Sequence, residues 1–520
     1  MLEHSETGMT VSAAPVRGEA LDAAPQPSAV FLGRATSGPL QQPVVVESFA
    51  EFERLFGAPW AETTLSTSVA QFFQHGGTRA VIVRIAANAR GGTLEIPTDG
   101  EPLLLEARNP GSNERLRASV DLHGVSESHR FNLTLQRLDP RTDQIVDQEL
   151  FADLSLKTHE SRDAVSALSE SRLVLPPRSL PGGRPQPTPT DFLTSAIGYI
   201  PMRAPGNDGD SLSDYDLVGS SRHATGLFSL DAIDHFDFLY ACGAPGRPAG
   251  GATYFVAAER YCESRNATLV IDPPDDCKDT AALLGWRRRR PVVSAHCFTY
   301  FPKIIHRETP NGKPQPAAGA LMGLLCRHDV RRHVFMSLVD DREQNSAALH
   351  RDWQPAFELL PDDALALLRN GVNPLIPGSQ GRLLFPGVVT SANTQDRALG
   401  SLVQQRLAKF VLSRIERGTR WAAFAERGPE TWHALQDQVS RFLESLADQG
   451  AFKVSAVSSG WWVQCDAALN DEAGEAGRPI RLLVGFHMRQ AAYPVMYSVA
   501  LRPDGTTATR TVLQGADTTL

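Results

Sequence analysis

Residues 401–466 constrain the fold of this chain more than any other stretch, because they spell two helices with clear ends and then a strand. The first helix is expected over about Leu402–Arg417. Leu402, Val403, Leu407, Phe410, Val411 and Ile415 recur at helical spacing along it. Gly418 stops it, and Arg414 and Arg417 place cations in the last turn, where the helix end is negative. The second helix opens at Gly428 with Pro429 at its first position, where a missing N–H costs nothing. Its apolar stripe is Trp432, Leu435, Val439, Phe442 and Leu446, and Gly450 is placed to cap it. A strand follows around Gly460–Cys465. The unit carries apolar stripes and charged faces but no residue pattern that implies chemistry.

The rest of the chain must therefore say what this unit is for. A length of 520 residues leaves room for two to four domains. A net charge of −8 argues against a general nucleic-acid binder, which needs a basic surface. No run of 18 apolar residues is present to span a bilayer, and the first residues, MLEHSETGMTVSAAP, do not read as a secretory signal. The six cysteines, Cys242, Cys262, Cys277, Cys297, Cys326 and Cys465, form no CxxC pair and are expected as reduced core residues.

Residues 1–27 are polar and Ala/Pro-rich, without period, and read as an arm. It is either loose or ordered by adding a strand to a neighbour's sheet, with Val11 a candidate for that strand. An α/β middle domain is expected over 28–90 and 181–376. It begins with strands at Ala29–Gly33 and Val44–Val46. A helix capped by Ser48 and Glu51 follows, burying Phe52, Leu55 and Phe56. A second helix at about Ser66–Gln74 and an apolar strand at Ala80–Ile85 come next. Residues 91–180 break into short strands separated by Gly, Pro, Asn and Asp, which gives a small β-rich insertion. Beyond a Pro/Gly-rich linker, strand, helix and strand at Phe236–Ala241, Ala252–Arg265 and Ala267–Ile271 suggest a parallel βαβ unit. An α+β C-terminal domain is expected over 377–490, with a C-terminal arm over 491–520. In that arm Val495, Tyr497, Val499 and Leu501 alternate at period two. They form either an internal hairpin across Asp504-Gly505 or a strand given to a neighbour.

Catalytic and ligand motifs are weak. The βα turn Cys242–Pro248 matches no dinucleotide or P-loop pattern, and neither GxSxG nor HExxH occurs. His328, Asp329 and His333 approach a metal spacing but lack a third nearby ligand. The run GNDGD at 206–210 lacks the spaced acids of a calcium loop. Arg287–Arg290 is read as a solvated loop or a subunit contact, and Cys297 beside His296 as core.

Several blocks, taken in order, resemble the contractile tail sheath proteins of phages and related injection systems. They are AVFLGRATSGP with SFAEFERLFG, FFQHGGTRAVIVRI, TGLFSLDAIDHFDFLYACGAP, RNATLVIDPP, QPAAGALMGLLCRHDVRRHVF, LLRNGVNPLI and the 401–466 unit. The resemblance implies a structural subunit with no catalytic residue, metal or cofactor. It implies an outward-facing insertion domain and a C-terminal domain completed by strands from neighbouring subunits. Six subunits would ring an inner tube, the rings would stack, and contraction from a metastable state would drive the tube through a target envelope. Partners would be other copies of the chain, the tube protein, and baseplate and terminator or cap proteins, without nucleic acid or membrane insertion. The setting would be the bacterial cytoplasm during assembly and then a phage tail or extracellular particle. The charged faces of the two helices, with Arg406, Lys409 and Arg417 on the first and Glu430, Asp437, Arg441, Glu444 and Asp448 on the second, become candidates for facing the tube. Trp461, Val463, Val495, Tyr497, Val499, Leu501 and Val11 become candidates for strand exchange. Two other readings stay open: a sheath paralogue or adaptor at the baseplate or cap, and an α/β hydrolytic enzyme built on 226–376.

Overall fold

The computed structural model describes the chain except residues 1–19, 22–23, 126, 190–197, 244–250, 290–292, 310–311, 339–346, 379–380, 393–395, 397–398, 456–457, 471–477, 504 and 512–520. In chain order, β1 (Ala29–Gly33), β2 (Pro43–Val46), α1 (Phe49–Phe56), α2 (Leu65–Gln74) and β3 (Ala80–Arg84) come first. The side chain of Ser48 accepts the Glu51 N–H to open α1, and Gly57 closes it at φ +92°, where a Cβ would be strained.

The insertion holds β4 (Thr93–Ile96), β5 (Leu103–Glu106), β6 (Leu116–Asp121), β7 (Arg130–Leu138), β8 (Ile145–Ser155), the short α3 (Ala164–Ser169) and β9 (Ile200–Pro201). It has its own core of Leu94, Leu105, Ala118, Phe131, Leu133, Leu135 and their neighbours. β9 pairs with β6, and the backbone enters and leaves through bridges Arg90–Asn207 and Thr93–Ala204. The unit therefore extends past residue 180 to about 206. The sequence signal breaks at the Pro-rich stretch, but the chain after it returns to the same sheet.

The middle domain resumes with α4 (Asp214–Val218), β10 (Phe238–Ala241), α5 (Ala252–Ser264), β11 (Thr268–Ile271), α6 (Thr280–Arg288) and β12 (Cys297–Phe301). After these come β13 (Ile304–His306), α7 (Ala318–Arg332), β14 (Trp353–Pro355), α8 (Pro361–Arg369), β15 (Val372–Pro374), β16 (Ile376–Pro377) and β17 (Leu383–Leu384). Seven strands form one sheet in the order β15-β12-β11-β10-β1-β3-β2, parallel except for the antiparallel edge strand β2. Parallel strands covered on both faces must be apolar throughout, and β1, β3, β10, β11 and β12 are buried at every position. One face packs on α1, α2 and α7, the other on α4, α5, α6 and α8.

The C-terminal domain is α9 (Leu402–Gly418), α10 (Pro429–Asp448) and a four-stranded sheet of β18 (Trp461–Gln464), β19 (Ile480–Phe486), β20 (Val495–Leu501) and β21 (Thr507–Thr511). The strands run antiparallel in chain order. A core of Leu407, Val411, Ile415, Trp432, Leu435, Val439, Phe442, Leu482, Val484, Val499 and their neighbours fills the space between helices and sheet. Among the described residues no helix is long and apolar enough to cross a membrane.

Candidate assembly interface

The two helices that dominate the sequence part company in the structure. Twelve residues of α9 are buried, and they include five polar ones: Gln404, Gln405, Arg406, Lys409 and Ser413. The apolar stripe faces α10 and the C-terminal sheet, while the polar face is pressed onto the middle domain. Arg406 pairs with Asp329 on α7, and both are about as exposed as core residues, with side chains at 4%. Lys409 donates to the Ala267 carbonyl and to Thr268 Oγ1 at the start of β11, and Gln405 Oε1 lies 3.3 Å from the same hydroxyl. Ser413 Oγ lies 3.0 Å from His235 Nδ1, and Asn266 donates to Glu416 at 3.3 Å. α9 is thus a strut between two domains. Burial lowers the Arg406 guanidinium to about 10 and the Lys409 ammonium to about 7.

Arg406 and Lys409, expected on an exposed charged face, are therefore buried against the middle domain. The spacing rule identifies the side opposite an apolar stripe but not whether water or another domain covers it. Arg417 is half-buried. On α10 the outcome differs: Glu430, Asp437, Arg441, Glu444 and Asp448 are all exposed, opposite the buried Trp432, Leu435, Val439, Phe442 and Leu446.

The candidate exchange strands also divide. Val495, Tyr497, Val499 and Leu501 lie in β20, are 1–5% exposed, and pair with β19 on one side and β21 on the other. They are core of their own domain, not a free arm, and the hairpin across Asp504-Gly505 is internal to the chain. The alternation is real, but alternation reports a half-buried strand without saying whose sheet buries it. Trp461 and Val463 lie on β18, half-buried, and among the described residues this strand pairs with β19 alone. Trp461 and Trp462 line a cleft of about 260 Å³ with Lys453, Ser458 and Pro494. Val11 lies outside the described residues. Just after it, the chain is already held to the strut: Leu21 packs over Gly418, and Arg414 donates to the Ala24 carbonyl at 2.6 Å.

Between α5, α9 and the β20–β21 end of the C-terminal sheet lies a cleft of about 430 Å³, lined by Glu259, Glu263, His296, Lys409, Tyr497 and Arg510. Nothing in the sequence pattern signals this cleft, because its residues come from six stretches scattered between Glu259 and Arg510.

Several of the residues weighed for chemistry are buried and engaged within the chain, as is Asp272, which no motif singled out. Asp272, just past the carboxyl end of β11, accepts from the buried hydroxyls of Tyr240 and Tyr300. Tyr300 in turn accepts the Ala317 and Ala318 N–H groups at the start of α7. Among the described residues beside the carboxyl ends of β1 and β10, Thr64 Oγ1 donates to the Gly243 carbonyl and Leu65 is fully buried against Gly33. His328 is buried, its imidazole pushed down to about 4 by desolvation, with Nε2 3.1 Å from the Ser337 carbonyl. Asp329 is taken by Arg406. Arg287 is buried and donates to the Ser391 carbonyl at 2.6 Å, and Arg290 lies outside the described residues. Cys297 is core.

No family model and no curated protein sequence matches the chain. Solved structures do. The chain is similar to the sheath tail protein Lin1278 from Listeria innocua, with TM-score 0.61 and 12% identity over 94% of this chain and 98% of that one. It is similar to the sheath of the extracellular contractile injection system PVC in its contracted state, with TM-score 0.54 and 13% identity over 95% and 96%. It is also similar to the helical sheath of the anti-feeding prophage in its contracted state, with TM-score 0.53 and 12% identity over 94% and 98%. The fold is that of phage tail sheaths and contractile injection system sheaths.

Proposed function

We propose that the chain is the structural subunit of a contractile sheath. It polymerises with itself as stacked six-subunit rings around an inner tube and contracts from a metastable extended state to drive that tube through a target envelope. The observation that carries this reading is the extent of the likeness, which covers 94–95% of this chain and 96–98% of the three sheath proteins. Baseplate and terminator proteins would bound the polymer. Assembly would take place in the producing bacterial cell, before the particle acts outside it.

The energy of such a machine is stored in folding and assembly, so the reading calls for no cofactor and no active site. The buried Leu65 beside the carboxyl ends of β1 and β10 weighs against the hydrolase alternative, because doubly wound enzymes bind substrate there. Contacts to the tube must be individually weak, and exposed ion pairs contribute only about 0–1 kcal/mol each. The exposed face of α10, with Glu430, Asp437, Arg441, Glu444 and Asp448, suits that role. The open side of β18 is where a neighbour's strand would add, with Trp461 and Val463 beneath it.

Electron microscopy of the purified full chain tests the proposal. Hollow helical tubes or stacked rings are the expected outcome. A protein that stays monomeric at high concentration overturns it. Short caps in place of tubes favour the paralogue or adaptor reading.

A further inference from the structure

The cleft between the middle and C-terminal domains is bounded by two helices of opposite chemistry. α5 lines it with Glu259 and Glu263, one turn apart, and α9 with Gln405 and Lys409, also one turn apart. Arg510, at the side of the cleft, is taken by both carboxylate oxygens of Asp396, with Nη2 3.1 Å from Oδ1. The two helix faces are left to define what the cleft can hold.

The hydrogen bonds on the α9 side fix which groups remain unspent. Lys409 Nζ donates to the Ala267 carbonyl and, at 3.2 Å, to Thr268 Oγ1. The Thr268 hydroxyl thus accepts from the ammonium, and its own hydrogen goes to Gln405 Oε1 at 3.3 Å. That orients the amide and turns Nε2 away from Thr268. Gln405 is 1% exposed, and its Nε2 is buried with no hydrogen-bond partner among the described residues. A third N–H of the ammonium is unspent as well. His296, just before β12, lines the same cleft and is held neutral by burial, which lowers it to about 3. With the ring hydrogen on Nε2, which faces Glu263 at 3.7 Å, Nδ1 is an acceptor. It too is buried without a partner among the described residues. A buried donor or acceptor left unmatched bears the full cost of its desolvation, so each of these atoms calls for a partner.

Donors therefore gather on α9, and acceptors on α5 and at His296. Leu412 and Tyr497 add an apolar wall. The volume of about 430 Å³ falls within the range of small-molecule sites, about 300–1,000 Å³. We propose that this cleft binds a small zwitterion of the α-amino acid class with an apolar side chain. Its carboxylate accepts from Gln405 Nε2 and Lys409 Nζ. Its ammonium donates to Glu259, Glu263 and His296 Nδ1, and its side chain lies along Leu412 and Tyr497. A simple anion meets the two glutamates, and a simple cation leaves Gln405 and Lys409 unmatched, so neither fits as well. Since α5 belongs to one domain and α9 to the other, the ligand staples the joint. The site exists whether or not the chain polymerises.

Calorimetry on the full chain with L-leucine tests the proposal, beside isocaproate, which lacks the amine, and isoamylamine, which lacks the carboxylate. Leucine is expected to bind saturably, and each analogue at least about 10-fold more weakly, the size of one charge-assisted hydrogen bond. Glu263→Gln, at an exposed position where folding is not at stake, should weaken leucine by a similar factor and narrow the gap between leucine and isocaproate. Gln405→Leu should weaken leucine as much and narrow the gap to isoamylamine instead. Absence of saturable binding up to millimolar leucine overturns the inference. So does either analogue binding as tightly as leucine, and so does leucine binding undiminished by Glu263→Gln. Each of these results leaves the sheath reading, tested by microscopy, where it stands.

Discussion

Arg406 and Asp329 show what a buried pair at a domain joint implies. Each is nearly inaccessible, so removing one leaves the other charged and unpaired in the protein interior. Arg406→Met or Asp329→Leu alone is expected to cost about 3–5 kcal/mol, whereas the double variant should recover most of that loss. Urea unfolding of the four proteins in a double-mutant cycle measures it, and additive losses would mean that the two do not act as a pair. Lys409 makes a different prediction. Burial lowers its folded-state value from 10.5 to about 7, so between those limits the unfolded chain binds the extra proton. Stability contributed at this site is therefore least below pH 7 and rises as pH climbs towards 10. Lys409→Met should compare most favourably with wild type near pH 6 and lose ground steadily above pH 7. The groups around the ammonium, Glu259, Glu263, Cys262 and Cys297, oppose the shift only in part. A pH-independent difference between the two proteins would show that Lys409 is not desolvated as described. Both residues are polar positions on an amphipathic helix, and their sequence gives no sign of burial. The desolvating partner is the start of β11, more than 130 residues away.

At the scale of elements, α2 and α7 meet through two glycines. A Cβ on Gly319 would fall 1.9 Å from the Ser68 carbonyl oxygen, and one on Gly323 would fall 2.2 Å from that of Phe72. Backbone cannot yield as a side chain can, so Gly319→Ala or Gly323→Ala must push the helices apart, at about 1–3 kcal/mol or more. Gly285, inside α6, meets only Arg289 Nη1 at 3.7 Å, and Gly285→Ala should instead stabilise by up to about 1 kcal/mol through helix propensity. Thermal melts of the three variants check the opposite signs. The existence of these elements was legible in the chain. Ser48 with Glu51, Gly428 with Pro429, and the apolar runs AVFLG and AVIVR mark α1, α10, β1 and β3 within a residue or two. What covers each element was not legible. A cap or a period is set by neighbours in sequence, whereas the partner of the polar face of α9 or of β20 is set by chain tens to hundreds of residues away. That is why the helix boundaries could be read directly, while Arg406 and Lys409 gave no sign that another domain covers them and the alternation of β20 left an internal hairpin and a donated strand equally open.

For the whole molecule the most consequential feature is how the insertion joins the rest. Among the described residues its core shares none with the cores on either face of the seven-stranded sheet. Its two connections run side by side, bridged at Ala87–Asp210 and Arg90–Asn207. Excising it therefore leaves two chain ends already close together, which a short linker can close at a small entropic cost. The links between it and the middle domain are polar. Asn113 donates to Thr36 Oγ1 at 3.0 Å, Arg137 to the Leu55 carbonyl at 3.3 Å, and Arg137 pairs within the insertion with Glu114. Arg84, fully buried beneath the insertion, keeps its bonds to the Ala35 and Gly38 carbonyls because both lie in the retained domain. Replacing residues 91–206 with a short Gly/Ser linker should thus leave a cooperatively unfolding protein, with a midpoint lower by roughly 2–8 °C if about 1–2 kcal/mol is lost. Under the sheath reading it should also still polymerise, into tubes of smaller outer diameter, because the α10 face and β18 both lie in the retained chain. Circular dichroism and electron microscopy separate the outcomes. Loss of cooperative unfolding would show that the insertion is part of the folding unit. A well-folded variant without polymer would place an essential intersubunit contact on the insertion itself, against an outward-facing role for it.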